Sequence, residues 1–415
     1  MQSDAVEIFL ESVNEMLPGK AVRRSIKDAC LKESIILTGI GKASWKMAMA
    51  ASEELSGQIR CGAIVTKYGH SEGPISQIEI FEAGHPLPDS NTLKATERIL
   101  DITKKAEKGE IILFLVSGGG SALFEKPAKG LSLSRLSDIT NRLMLGGADI
   151  NELNSVRKHL STVKGGRFAV GCLPAKIFQI VLSDVIDDRL DIIASGPAVA
   201  DGSTSEEALS VMKKYGIPLS DDIISLLESE TPKEVNNVST LIAGNVKGLC
   251  LAAKMAAEKK GYISHIVSDR IHGEARAAGE EIAARILHEI EVMKDVKKIC
   301  MIWGGETTVN VKGSGKGGRS QELVLAAAGK ISGISGAIVL SAGSDGSDGP
   351  TDAAGGIVDG FTWGKILSAG RDPMEMLENN DSYRALDMAG ALLKTGPTGT
   401  NVDDIVICLA GSHQP

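Results

Sequence analysis

The sequence predicts a layered α/β protein of two domains, and three observations support this fold class. The chain has 415 residues, 43% hydrophobic and 24% charged, which is long enough for more than one globular domain. Short β-branched runs alternate with helical patterns, which is typical of largely parallel or mixed sheets covered by helices. Glycine-rich turns follow several of these runs. We expect the first domain to be Rossmann-like.

The first strand, loop and helix unit lies near residue 40. Residues 34–38 predict a strand that enters Gly39-Ile40-Gly41, and the helical spacing of apolar residues resumes at Met47. The run at 111–116 is wholly apolar, as in a central strand covered on both faces. Later runs of the same kind predict further strands at 177–182, 240–243, 263–267, 299–303, 337–340 and 405–409.

A polar stretch at 231–239 is the best candidate for a domain boundary. It divides the chain into an N-terminal domain, residues 1–238, and a C-terminal domain, residues 239–415. The sequence leaves open whether the first helix packs on the second domain.

Composition excludes several classes of protein. The formal net charge is −8, which disfavours a nucleic-acid partner, although a local basic pocket for a small anion stays possible. The six cysteines have no metal-finger spacing, and no stretch has the length and apolar character of a membrane span. We therefore expect a cytoplasmic protein, monomeric or homodimeric, with no membrane partner.

Two glycine-rich loops are candidates for binding an anion. The first is Ser117-Gly118-Gly119-Gly120-Ser121, which we call the triglycine loop; it follows the apolar run, and its backbone amides can approach an anion closely. The alternative is a tight strand-to-helix turn. The second loop carries Lys42, whose ammonium could neutralise a phosphate or carboxylate but could equally be a solvated surface lysine.

Further charged residues are concentrated in a few segments. Asn154, Arg157 and Lys158 share one side of a predicted helix before a Gly-Gly pair, and they form either an anion clamp or an exposed charged face. Asp184 and Asp345 follow predicted strands, where a carboxylate could hold Mg²⁺, orient a hydroxyl or simply belong to a turn.

Arg319 stands at the start of a predicted helix after a mobile glycine loop, where it could reach a phosphoryl group; a flexible connection is the alternative. Glu306, Thr398 and Asn401 lie in turns that could contact a nucleotide, each a weak indication alone. Three scattered histidines, His70, His85 and His159, are interpreted as structural.

Taken together, nine segments of the chain resemble class II glycerate 2-kinases, whose C-terminal portion is the MOFRL domain. These segments are GIGKAS, GHPLPD, LVSGGGSAL, LNSVRKHLSTVKGG, LSDVIDD, GGETTV, GKGGRSQE, AGSDGSDGPTDAAG and PTGTNVDD. The resemblance covers nearly the whole chain in order. It implies phosphorylation of glycerate at its 2-hydroxyl by ATP, with Mg²⁺ or another divalent ion, to give 2-phosphoglycerate and ADP. It also implies an active-site cleft between the two domains.

The resemblance places the family's lysine, arginine and aspartate at Lys42, Arg319 and Asp345, with Asp184 as the second choice for the acid or metal ligand. The triglycine loop would then hold either a nucleotide phosphate or the glycerate carboxylate. Two other functions stay open: a hydroxypyruvate reductase-type oxidoreductase, and a non-catalytic protein that binds a sugar acid or nucleotide. The incomplete GxGxxS at 39–44 argues against the former.

Overall fold

The computed structural model describes residues 1–183, 185–292 and 298–411. Its strands are β1 (Ile35–Ile40), β2 (Ile59–Lys67), β3 (Ile78–Ala83), β4 (Ile111–Val116), β5 (Lys176–Leu182), β6 (Val238–Gly244), β7 (Ile263–Ile271), β8 (Lys298–Gly305), β9 (Ala337–Gly343), β10 (Gly355–Asp359), β11 (Leu392–Leu393) and β12 (Asp404–Gly411).

Helices alternate with these strands along most of the chain. They are α1 (Gln2–Glu15), α2 (Pro18–Ala29), α3 (Ser44–Glu54), α4 (Ser90–Thr103), α5 (Gly120–Leu123), α6 (Leu133–Leu145), α7 (Ile150–His159), α8 (Arg167–Gly171), α9 (Ser205–Lys214), α10 (Asp221–Glu228), α11 (Val246–Lys259), α12 (Ala275–Val292), α13 (Arg319–Lys330), α14 (Thr362–Ser368), α15 (Pro373–Glu378) and α16 (Ser382–Ala389). The predicted α/β class with parallel and mixed sheets is confirmed.

The chain forms two compact units. Domain A is Pro18–Ala243, and domain B combines Met1–Leu17 with the residues from Gly244 onward. This division differs from the expected limits of 1–238 and 239–415 at both ends. The strand β6 extends the sheet of domain A beside β5, and the apolar face of α1, with Ile8 and Phe9, is buried in the same core as α11 and β12.

The sheet of domain A has the strand order β3-β2-β1-β4-β5-β6. The pairs β1/β2, β1/β4, β2/β3 and β4/β5 are parallel. The order reverses between β1 and β4, and open α/β sheets bind ligands at such a reversal, outside the carboxyl ends of the strands. The loops that follow β1 and β4 are therefore placed where a ligand is expected. The Rossmann-like assignment itself stays a prediction.

An aromatic cluster anchors the loop after β4 to the core of domain A. Phe114 in β4, Phe124 just after α5 and Phe168 in α8 are fully buried. The ring centroids of Phe114 and Phe168 are 4.7 Å apart, and those of Phe124 and Phe168 are 5.3 Å apart. Such pairs contribute about 0.5–1.5 kcal/mol beyond the burial of their area. The chain is thus fixed immediately before and after the triglycine loop.

The sheet of domain B has the order β11-β10-β9-β12-β8-β7 and is mixed. The strand β7 runs parallel to β8, whereas β12 is antiparallel to both of its neighbours, β8 and β9. The first residue of β12, Asp404, is the register partner of Gly305 at the end of β8 and of Gly343 at the end of β9. The antiparallel direction therefore brings the start of β12 to the sheet edge where β8 and β9 end.

Within the described ranges, no helix combines the length and the apolar character needed to cross a membrane.

Domain B depends on close approach between α12 and α13. A Cβ atom added at Gly279 in α12 would stand 2.1 Å from the carbonyl oxygen of Leu323 in α13. Gly279→Ala would force the helices apart, so we expect a loss of about 1–3 kcal/mol in the free energy of unfolding, measured in urea. Gly364→Ala is the control, because a Cβ there meets no atom within 4 Å. Its helix propensity predicts a gain of up to about 1 kcal/mol, and similar losses in both variants would contradict the packing argument.

Candidate active site

The loops after β1 and β4 in domain A are joined by hydrogen bonds. The amide of Lys42 donates to the carbonyl oxygen of Gly118 at 2.9 Å, and the amide of Ala43 donates to Ser117 Oγ at 3.1 Å. The amide of Ser117 donates to the carbonyl oxygen of Ile40 at 3.0 Å. Lys42 and the triglycine loop therefore form one structural unit.

Glycine is required in this unit because the two chains approach too closely for side chains. Gly41 has φ of +111°, and a Cβ there would stand 2.3 Å from Ser117 Oγ. Gly119 has φ of +85°, and a Cβ there would stand 3.0 Å from the ring of His85 and 3.2 Å from Lys42 Cγ. Among the residues that the structure describes, no carboxylate pairs with the ammonium of Lys42. The unit can therefore receive an external anion.

Ser121, at the end of the triglycine loop, belongs to a polar chain that leads into the protein. The hydroxyls of Ser121 and Ser195 are 3.0 Å apart, and Ser195 Oγ donates to Asn154 Oδ1 at 2.9 Å. Asn154 is buried, and its Nδ2 has no hydrogen-bond partner among the described residues. Ala194 and Ser195 both have left-handed φ angles, of 52° and 61°, which are costly for residues other than glycine.

Buried charges lie beneath the triglycine loop. Arg157 Nη2 and Lys164 Nζ both donate to the carbonyl oxygen of Ser121 at 2.9 Å. Lys164 also donates to the carbonyl oxygen of Phe124 and lies 3.4 Å from Glu125 Oε2, while Arg157 lies 4.0 Å from the same oxygen. Burial lowers the pKa of Lys164 to about 8, although Glu125 opposes this shift. The group holds two cations against one carboxylate.

Lys158, also on α7, forms a buried ion pair. Its Nζ donates to Asp201 Oδ1 at 3.0 Å, and both side chains are buried. Burial alone would raise the pKa of Asp201, but Lys158 and the hydrogen bonds from Ser203 lower it overall. The pair borders a cavity of about 450 Å³ that Asn154 and Arg189 also line.

Arg319 in domain B is surrounded by acids at the sheet edge described above. Its Nε donates to Asp404 Oδ2 at 2.5 Å and its Nη2 to Asp404 Oδ1 at 3.0 Å, a bidentate pair. Its Nη1 lies 2.6 Å from Glu306 Oε1. The hydrogen bonds to Asp404 are the main reason that the pKa of Arg319 is raised, and burial is the main reason that the pKa of Asp404 is raised.

Asp348 fixes the start of α13 and thereby the position of Arg319. Its carboxylate accepts from the amides of Ser320 at 3.2 Å and Gln321 at 2.8 Å, donors that a helix start leaves unpaired. Burial raises the pKa of Asp348 to about 6, and the amides and Arg319 only partly oppose this.

Asp345 lies in the loop that follows β9 and approaches Asp404. Its Oδ1 accepts from the amide of Ser347 at 2.8 Å, and its Oδ2 accepts from Ser347 Oγ at 2.9 Å. A Cβ added at Gly343 would be 3.2 Å from Asp345 Oδ1 and 3.4 Å from Asp404 Oδ1, so the two carboxylates lie beside the same glycine.

The turn that contains Thr398 is bound to the same loop. The amide of Thr398 donates to the carbonyl oxygen of Asp345 at 3.1 Å, and its Oγ1 donates to that of Ser344 at 2.5 Å. Asn401, three residues further on, is exposed.

The structure thus groups most of the sequence-predicted residues within their own domains. In domain A it brings together Lys42 and the triglycine loop, with Asn154 and Arg157 beside or beneath them, while Lys158 faces Asp201. In domain B it brings together Arg319, Glu306, Asp345 and Thr398. Asp184 lies outside the described residues. The roles of these residues stay predictions.

Several residues of these groups were missed from the sequence: Glu125, Lys164, Asp348 and Asp404. Asp404 carried a usable signal, because it directly precedes a strongly apolar run. Glu125 and Lys164 are more than 35 positions apart and gave no signal.

A divalent ion is compatible with domain B. No group of three or more acidic, histidine or cysteine side chains suitable for a metal occurs within residues 1–183, 185–292 and 298–411. Mg²⁺ in nucleotide sites, however, is usually held by one or two carboxylates together with substrate phosphates. Asp345 and Asp404 beside Gly343 supply carboxylates of that kind, with Glu306 on the same arginine.

Two family models match the chain: a domain of unknown function (DUF4147) over residues 4–228, and the MOFRL family over residues 299–404. The D-glycerate 2-kinase of Thermotoga maritima is 52% identical over 98% of this chain and 97% of its own length. A putative hydroxypyruvate reductase of Agrobacterium vitis is 38% identical over 91% of this chain and 87% of its own.

The crystal structure of the glycerate kinase from T. maritima has a TM-score of 0.95, at 51% identity, and the match covers 99% of each chain. Fold and site define a two-domain α/β protein with glycine-rich loops around Lys42 in one domain and an acid-rich sheet edge in the other. The chain belongs to the class II glycerate 2-kinase family, whose C-terminal portion is the MOFRL domain.

The charges beneath the triglycine loop lead to a stability prediction. Glu125→Gln would leave Arg157 and Lys164 as buried like charges, so we expect it to cost about 3–5 kcal/mol at pH 6. Lys164→Met leaves the Arg157–Glu125 pair and is expected to cost less. Urea unfolding measures both, with the exposed Glu97→Gln as control at about 0–1 kcal/mol. Equal losses in the Glu125 and Lys164 variants would contradict this account.

The raised pKa of Asp348 predicts a pH dependence of stability. Between its unfolded pKa near 3.8 and its folded pKa of about 6, the folded state binds the proton more tightly. This contribution to stability is full below pH 3.8 and is lost as the pH rises to about 6.

Asp348→Asn removes that contribution. Over pH 4–6, we expect its unfolding free energy to fall less than that of the unaltered protein, by on the order of 2–3 kcal/mol. Urea unfolding at each pH measures the difference, and the exposed Asp101→Asn is the control for loss of a charge. Parallel pH profiles for the protein and its Asp348 variant would refute the assignment.

Proposed function

We propose that this protein is a glycerate 2-kinase: it transfers the γ-phosphoryl group of ATP, with Mg²⁺ or another divalent ion, to the 2-hydroxyl of glycerate, and releases 2-phosphoglycerate and ADP. The observation that carries the proposal is the 52% identity, over nearly the full length of both chains, with a protein named D-glycerate 2-kinase. The distribution of charge in the two domains supports it.

Domain A is suited to hold an anionic part of the reactants. Lys42 has no carboxylate partner among the described residues, and it is hydrogen-bonded to a loop of three glycines, which have no side chains of their own to cover the backbone. Phosphoryl transfer requires alignment and charge neutralisation more than covalent catalysis. Lys42 would neutralise phosphoryl oxygens, and the triglycine loop would bind a phosphate or the glycerate carboxylate.

Domain B is suited to a cation carried by the nucleotide. Around the single guanidinium of Arg319 lie the carboxylates of Glu306 and Asp404, and Asp345 lies beside Asp404. The excess of negative charge favours a divalent ion, which would be held by Asp345 and its neighbours. When bound, such an ion would supply positive charge that offsets the negative charge of the phosphate oxygens.

The remaining steps belong to the residues of this chain. Arg319, held rigidly by Asp404 and Glu306, would present its guanidinium to the transferring group. The 2-hydroxyl oxygen of glycerate would form the new bond to phosphorus as the bond to the ADP oxygen breaks, and the hydroxyl proton would pass to a carboxylate or to water. Asp345 is the first candidate to orient that hydroxyl, and Asp184 is the second.

The competing function is that of a hydroxypyruvate reductase, because the A. vitis relative is named a putative hydroxypyruvate reductase. It would require a nicotinamide site. In a dinucleotide-binding loop, the third glycine allows close packing of the helix on the strand. Ser44 occupies this position here, and its buried Oγ donates to the carbonyl oxygen of Val65 at 2.8 Å. The dinucleotide pattern is therefore incomplete. NADH oxidation with hydroxypyruvate, together with no ATP-dependent product from glycerate, would establish the reductase instead. Stabilisation by ATP and Mg²⁺ without turnover would indicate a binding protein.

The test of the proposal is an assay with ATP, Mg²⁺ and glycerate in which the phosphorylated carbon is identified by NMR. We expect Lys42→Met to lower kcat/KM by at least about 100-fold, because the loss of a charge-assisted contact in the transition state costs several kcal/mol. Lys46→Met is the matched control, since Lys46 is exposed, lies on α3 and has only a 3.7 Å ion pair with Glu72. Equal rates for the two variants would remove Lys42 from the reaction.

A further inference from the structure

The segment Gly84–Asp89 between β3 and α4 is a turn held at its ends. Asp89 caps α4 by accepting from the amides of Asn91 and Thr92 at 3.0 Å each. It also accepts from the hydroxyl of Tyr68 at 2.7 Å, and Asn91 donates to the same hydroxyl. This network fixes the course of the chain from β2 to α4, and His85 lies within it.

The imidazole of His85 lies against the triglycine loop. Its Cδ2 and Nε2 are each 3.0 Å from the point where a Cβ on Gly119 would stand, and Lys42 Cγ is 3.2 Å from that point. The ring is half-buried, and neither nitrogen forms a hydrogen bond within the described part of the chain. Because the ring is only half-buried, its nitrogens are not sealed from solvent, and they are available to an acceptor on a bound ligand.

The surroundings of His85 are positive. Burial, and then Lys42, Lys67 and His70, lower its pKa, so the ring is neutral at pH 7 and carries one N–H. His70 itself is oriented by Nδ1, which donates to the carbonyl oxygen of Lys42 at 3.1 Å. Lys67 ends β2 as the register partner of Ala83, two residues before His85. Within the described residues, neither Lys42 nor Lys67 has an ion-pair partner. Such clustering of like charge is unfavourable unless an anion neutralises it.

We propose that His85 and Lys67 are further binding residues of the anion site formed by Lys42 and the triglycine loop, and that His85 donates a hydrogen bond to an anionic oxygen. The inference rests on the proposed function, whose reactants carry the oxygens concerned. Two sources supply this chemistry: the carboxylate of the hydroxy acid and a phosphate of the nucleotide.

The experiment separates the two sources by measuring KM for glycerate and for ATP independently. His85→Leu keeps an apolar side chain but removes the donor, so we expect KM for one reactant to rise about tenfold and KM for the other to change less than about twofold. Lys67→Met is expected to raise the same KM. His85→Gln retains an N–H donor and should restore that KM to within about threefold of the original value.

His288→Leu is the matched control, because His288 is exposed on α12 in domain B. Melting temperatures of all variants identify loss of folding. If His85→Leu leaves both KM values unchanged, or if His85→Gln fails to restore the altered KM while folding is intact, the inference is overturned.

Calorimetric titrations with ATP and with glycerate distinguish this inference from the proposed function. Should the unaltered protein bind either reactant without turnover, the kinase proposal fails. The site is still supported if His85→Leu weakens that binding about tenfold and His288→Leu does not. Unchanged affinity in His85→Leu overturns the site whatever the turnover.

Discussion

One backbone oxygen, the carbonyl of Ser121, receives hydrogen bonds from two buried cations, and the geometry of the triglycine loop depends on it. Arg157 comes from α7 and Lys164 from the segment that follows α7, so both are tied to the end of the loop. Glu125 offsets part of their charge. A loop of glycines has little conformational preference of its own, and these contacts supply the constraint from beneath. The excess positive charge that remains also raises the electrostatic potential at the loop.

The candidate sites of the two domains carry opposite local charge. In domain A, neither Lys42 nor Lys67 forms an ion pair with a carboxylate among the described residues, which favours an anion. In domain B, one guanidinium is outnumbered by acids, which favours a cation. A reaction between a metal-bound triphosphate and a hydroxy acid involves both signs of charge, so the division of charge agrees with the chemistry proposed from the relatives. The overall negative charge of the chain therefore does not prevent a local anion site.

Many of the strands could be predicted from the local pattern of apolar residues, because a buried strand needs apolar residues wherever it lies in the fold. The runs at 111–116 and 337–340 became β4 and β9 for that reason. The strand predicted at 240–243 is present as β6, but it belongs to the sheet of domain A and not to the C-terminal domain in which the sequence placed it. Its pairing with β5 depends on contacts more than 50 residues apart, which local pattern does not show. Lys42, Arg319 and Asp345 could be proposed because each lies in or beside a recognisable glycine-rich loop, and their roles stay predictions. Glu125 and Lys164 were missed because their chemistry exists only after distant segments meet. His85 was interpreted as structural because sequence cannot show that its ring nitrogens lack partners.

The position of β12 in the middle of the domain B sheet has a consequence for synthesis on the ribosome. Residues 404–411 are translated after the other described strands of this sheet, yet they separate β8 from β9 and provide the carboxylate that fixes Arg319. Until they emerge, the nascent domain has two exposed strand edges, on β8 and β9, and its Arg319 lacks the bidentate partner Asp404. Exposed edges of this kind favour association with other chains. Assembly of the domain B sheet therefore waits until β12 has been translated, whereas domain A, a continuous segment, can fold before that point.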